Sequence, residues 1–258
     1  MTEPDASVPF PVTFSVSNSR PPVDLSLRAA EDGSFVVDIL TQASLAQRLP
    51  VRLGAFRGRL APETLARLVG VAAASRAAAA ASAAAPTLPM GSVPRLISVG
   101  AESRVLAVGE ERDLAALDNL IAEAAAAALA DPIAAVTVEA RFASAGPELA
   151  ITASGTEAFR LLLYATDIAG YCVRVWAEKP AGDADLPVET VEDLVKAGSI
   201  PEGTFELAPG ASVTVPLPPE VAGPVGAGTT GGFMFWRAGH GPERRRVAGT
   251  WMLPAATG

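Results

Sequence analysis

Apolar and polar residues alternate along much of this chain, most clearly at residues 203–218, GTFELAPGASVTVPLP. Phe205 and Leu207, then Val213, Val215 and Leu217, recur at period two, the spacing of a half-buried strand. Pro209-Gly210 between them fits a type II turn, because proline presets the first corner and glycine takes positive φ at the second. The pattern predicts a hairpin here. The same alternation predicts strands at the other end: Val12, Phe14 and Val16; Val23, Leu25 and Leu27; Phe35, Val37 and Ile39; and a run at 51–56. Glu31-Asp32-Gly33-Ser34 reads as a turn, giving an antiparallel meander.

At Pro62 the period changes. Leu65, Leu68, Val69 and Ala72 mark one face of a helix, with Pro62 and Glu63 suited to its first turn. Its tail, residues 76–85, is nearly all alanine, which favours helix but offers little to pack. Pro86, Pro89, Gly91 and Pro94 then predict a domain boundary, dividing residues 1–92 from 93–258. Short strands are expected at 95–98 and 104–108. A second helix is expected at 111–130, with Leu114, Leu117, Leu120, Ile121 and Ala125 as its stripe. Eight further strands follow, at 136–142, 148–153, 159–165, 171–178, 204–207, 212–217, 232–237 and 246–253, with a short helix at 188–197. The fold class expected is α+β and β-rich: an antiparallel meander with helices, followed by a β-sandwich-like half.

The runs ITASGTEAFRLLLYA, YCVRVWAE and FELAPGASVTVPLPP, with their SGTEAF and LAPG turns, resemble strand patterns of bacterial immunoglobulin-like β-sandwich domains across residues 136–253. The Cys…Trp…Cys spacing of antibody domains is missing, and the helix at 188–197 would be an insertion. The resemblance implies adhesion, assembly or ligand binding, and no chemistry.

Hydrophobic residues make up 50% of the 258 residues and charged ones 19%, so the chain can build a core. A formal charge of −8 opposes sequence-independent binding to nucleic acid and to anionic membrane surfaces. The longest apolar tracts are broken by Arg67 and Arg76 and by Glu123 and Asp131, so no membrane span is expected. The single cysteine, Cys172, permits no internal disulfide and fits a reducing cytoplasm, as does an N-terminus without a secretory leader pattern.

Candidate chemistry is sparse. Gly226-Ala227-Gly228-Thr229-Thr230-Gly231 satisfies G-x-G-x-x-G, but a strand, not a helix, is expected after it, so it reads as a glycine loop. His240, the only histidine, lies between two glycines and reads as a turn residue; nothing in sequence brings Cys172 to it. Glu110, Glu111 and Asp113, like Glu189, Glu192 and Asp193, fall at helix starts where the macrodipole accounts for them. Arg244-Arg245-Arg246 reads as a solvated hairpin end. No cofactor and no metal site is expected.

The residues expected to meet a protein partner are Phe233, Met234, Trp236 and Trp251, on two strands able to pair. Alternation puts Phe233 and Phe235 on one face and Met234 and Trp236 on the other. The function expected is therefore non-enzymatic protein binding or assembly through the sandwich surface, with a protein partner or a second copy of the chain. One alternative is a small-ligand module or enzyme using the loop at 223–232 and His240. Another is an acidic inhibitor of a basic partner.

Overall fold

A computed structural model describes residues 8–19, 22–42, 51–81, 93–101, 104–144, 146–163, 173–177, 203–216, 230–238 and 244–252. Among the described residues the chain is strand-rich with two helices, and it falls into two compact units. The first comprises Met1–Ile39 and Ala55–Pro132, the second Leu40–Gly54 and Ile133–Gly258. The division passes inside two strands, β3 (Ser34–Gln42) and β4 (Val51–Arg59).

In the first unit, β1 (Val12–Ser19) and β2 (Pro22–Ala29) precede β3 and β4, as the meander pattern requires. Helix α1 (Pro62–Ala81), strands β5 (Arg95–Val99) and β6 (Val105–Leu106), and helix α2 (Glu111–Ala128) follow. The strand order is β4-β3-β2-β1-β5-β6. β1 lies antiparallel between β2 and β5, with Phe14 opposite Leu27 on one side and Ile97 on the other. All three side chains are fully buried, as are Val12 and Val37. Both helices cover this apolar face. Leu114, Leu117, Ile121, Ala125 and Ala128 form the buried stripe of α2.

The stripe of α1 is turned from the one expected. Thr64, Leu68, Ala72 and Ser75 are buried, while Leu65 and Val69 are half-buried. Ser75 accounts for part of the turn: its hydroxyl donates to the Val71 carbonyl at 2.7 Å and accepts the Val108 N–H at 2.9 Å. A polar position is thus satisfied inside, where hydropathy alone would place it outside. On the described end of the alanine-rich tail, Ala77 and residues 79–81 are exposed.

The expected boundary at 92/93 is not where the units divide. β5 pairs with β1 and α2 packs on the same sheet, so the proline cluster separates two elements of one unit. Breakers mark where an element ends; strand pairing decides which unit the next one joins.

The second unit contains β7 (Pro132–Ala143), β8 (Gly146–Gly155), β9 (Phe159–Leu163), β10 (Val173–Ala177), β11 (Gly203–Leu207), β12 (Ser212–Pro216), β13 (Thr230–Ala238) and β14 (Arg244–Met252). One ladder runs β12-β8-β7-β4 and another β11-β9-β13-β14-β3, with β10 also on β13. β7 to β14 pair with one another antiparallel, whereas Ala248 and Gly249 of β14 meet Thr41 and Gln42 of β3 in parallel. The expected helix at 188–197 lies outside the described residues.

The hairpin predicted at 203–218 is corrected. Its turn forms as read: Ala211 N–H donates to the Ala208 carbonyl at 2.8 Å, and Gly210 has φ of 84°. Yet β11 pairs with β9 and β12 with β8, not with each other. Type II geometry splays the two arms, whereas a two-residue hairpin favours the mirror-image turns. The turn instead exchanges hydrogen bonds with Ala153, Gly210 N–H to its carbonyl and Ala153 N–H to that of Ala211, both 2.8 Å.

Candidate functional site

Alternation in β1, β2 and β3 leaves a second face opposite the helices. It carries Thr13 on β1, Ser26 and Arg28 on β2, and Ser34, Val36 and Asp38 on β3. Register aligns them, with Thr13 opposite Arg28 and Ser15 opposite Ser26. The Ser15 and Ser26 hydroxyls are hydrogen-bonded at 3.1 Å. β4 joins through Gly58, which faces the core: a Cβ there would lie 2.6 Å from the Phe35 ring. Only glycine lets the strand approach this closely. With Gly58 turned inward, Arg57 and Arg59 turn outward, onto the same face as Arg28. Together these strands floor a groove of about 1110 Å³, bounded also by Phe10, Pro11 and Asp131. Val36 is 41% exposed, and with Phe10, Pro11 and Ala30 it gives the groove more apolar than polar surface.

Ion pairs hold the arginines of β4. Arg57 Nε lies 3.2 Å from Asp131 Oδ1, and its N–H donates to the Asp131 carbonyl at 3.0 Å. Arg59 donates to the Asp32 carbonyl at 2.7 Å and to its carboxylate at 3.3 Å. Asp32 also accepts the Ser34 hydroxyl at 2.6 Å and its N–H at 3.0 Å. The Ser34 hydrogen bonds, with Arg59 assisting, hold the Asp32 carboxyl below its ordinary value. Arg28 differs from both: it is exposed and has no carboxylate partner among the described residues. The described lining holds hydroxyls, guanidinia and two carboxylates, but no histidine or cysteine. Such groups bind by hydrogen bonds and charge.

Beneath the sheet, on the helix side, lies a second polar cluster. Arg95 is buried on β5 and donates to Asp118 Oδ2 at 2.8 Å and to both oxygens of Glu111, at 3.1 and 3.3 Å. Burial pulls the guanidinium down, but its two carboxylates more than offset this and raise it overall. The Asp118 carboxyl is also raised, because burial outweighs its contact with Arg95 and Glu111 adds a like charge. The two shifts point in opposite senses for the ion pair. They are compatible because Arg95 has two partners, whereas Asp118 Oδ1 is buried with no hydrogen-bond partner among the described residues. The cluster ties α2 to β5, with Arg95 buried and Glu111 exposed at its rim. It also gives Glu111 a role beyond the helix dipole, one hidden from sequence because its partner lies sixteen residues away.

The residues singled out from sequence gather elsewhere. β13 and β14 do pair antiparallel, with Gly231 opposite Trp251 and Trp236 opposite Arg246, so the basic run opens β14. Phe233 is fully buried and stacks on Phe235 at 5.7 Å, and Phe159 meets Phe235 edge-on at 6.3 Å. Phe233 is therefore a core ring and not a partner contact. Met234, Trp236 and Trp251 lie on these strands by backbone; their side chains are outside what is described, as are Gly226, Gly228, Thr229 and His240. Thr230 and Gly231 open β13, so the glycine motif runs into a strand. Among the described residues no group of three or more His, Cys, Asp or Glu is placed to hold a metal ion, and no helix is long and apolar enough to cross a membrane. No protein-family model, curated protein or solved structure matches this chain.

Proposed function

We propose that this chain is a non-enzymatic binding or assembly protein that holds a partner polypeptide against the open face of its first unit. The groove of about 1110 Å³ on that face carries the proposal. Its volume lies at or above the upper end of small-molecule pockets, roughly 300–1,000 Å³. Its floor crosses four strands, about 14 Å at the usual strand spacing. A shallow floor that mixes apolar surface with hydroxyls and guanidinia suits an extended peptide better than an enclosed small molecule. We further propose that the second unit is a β-sandwich of the immunoglobulin-like kind. The links β8 to β9 and β11 to β12 support this, since each carries the chain from one ladder to the other.

A random-peptide display library selected on the intact protein tests the binding face. Peptides that bind the native protein should fail to bind Val36→Trp, whose indole projects from the floor into the path of an extended segment, while its thermal unfolding stays unchanged because Val36 is exposed. Selection of peptides indifferent to Val36→Trp, or of none, refutes the groove as the binding face.

A further inference from the structure

Three arginines and two aspartates line the groove, and Asp32 pairs with one of those arginines at its edge, so this face is locally neutral within a chain of formal charge −8. The floor is thus less negative than the molecule as a whole, and an acidic ligand finds local attraction where a guanidinium lacks a carboxylate. The three guanidinia are not equivalent. Arg57 is held by Asp131 and Arg59 by Asp32, each through side chain and backbone. Arg28, exposed on β2, has no carboxylate partner among the described residues. Thr13 lies opposite it in register, and Ser26 is two residues away on the same face. A guanidinium with hydroxyl donors beside it matches a carboxylate, which accepts two parallel N–H bonds and further hydroxyl bonds. Asp38 and Asp131 disfavour a more highly charged group such as a phosphate. Val36 and Phe10 supply apolar contact on the same groove.

Building on the groove as the binding face, we infer that its occupant is an extended polypeptide segment bearing an Asp or Glu side chain, anchored on Arg28, with an apolar side chain on the same face. Period two in an extended segment places residues i and i+2 toward the floor, one for Arg28 and the next for the apolar wall.

The display selection separates this inference from the binding face itself. Peptides are shown as fusions with no free C-terminus, so the carboxylates offered are on side chains. The native protein should enrich Asp or Glu with an apolar residue two positions away. Arg28→Gln should weaken those peptides about tenfold, as expected for one charge-assisted pair, and Arg28→Glu should select Lys or Arg instead. Peptides that fail on Val36→Trp yet show no acidic enrichment, or that bind Arg28→Gln undiminished, overturn the carboxylate anchor and leave the groove standing. A library yielding no groove-dependent peptide overturns both. Arg28 is exposed, so unchanged circular dichroism of both variants confirms that the fold is kept.

Discussion

Asp118 and Asp32 bear the same carboxyl group and meet opposite surroundings. Asp118, on α2, is pressed against β5 with one oxygen unpaired among the described residues, and its pKa rises above the ordinary 3.8. The folded chain therefore holds this proton more tightly than the unfolded chain. Its contribution to stability is fully present below 3.8 and is lost as pH rises through the raised folded value. Asp32 has its pKa lowered by Ser34, so its contribution is present above 3.8 and is lost as pH falls through the lowered value. Carbon-detected NMR titration should find the Asp118 carboxyl changing above 3.8 and that of Asp32 below it. A reversed order would mean that Arg95 outweighs burial at Asp118. None of this was legible from residue types. The polar alternation of Thr13, Ser15 and Ser17 announced an outward face, but the partners of Arg95 lie sixteen and twenty-three residues away, beyond any local period.

Among the elements, strand positions read well because alternation is a local consequence of burying one side. Strand partners read poorly because they depend on what lies far along the chain. The segment at 203–216 contains both lessons. Pro209-Gly210 specified its turn, and that same turn type forbade the hairpin expected around it. Gly210 holds φ of 84°, and a Cβ there would meet nothing within 4 Å. Gly210→Ala should therefore cost backbone strain alone, about 1–2 kcal/mol, read as a lower denaturation midpoint with unchanged m-value. Gly210→Asn should cost less, since asparagine visits that conformation more readily. Equal losses from both would point to a contact at the side chain rather than to φ. The groove was partly legible in the same way: its hydroxyl and charged positions followed from the meander, while Arg57 and Arg59 joined them only because Gly58 faces Phe35.

For the whole molecule, composition disclosed a strand-rich chain able to form a core, and a proline cluster pointed to the wrong division. The second unit takes residues 40–54, which include the end of β3 and the start of β4, from within the first, a long-range arrangement that no linker composition reports. Residues 1–132 contain every element of the first unit. Residues 133–258 lack the part of β4 that borders β7 and the part of β3 that borders β14. Expressed separately, residues 1–132 should give a dispersed NMR spectrum with a cooperative melt, and residues 133–258 should not. A well-folded second fragment would show that the borrowed strands are dispensable. During synthesis the borrowed strands leave the ribosome early, while β7 and β14 emerge roughly 80 to 200 residues after them. At about 5–20 residues per second, they wait on the order of ten seconds, their backbone groups unpaired on one side. That interval is when a chaperone, or a neighbouring nascent copy of the chain, has its best access to them.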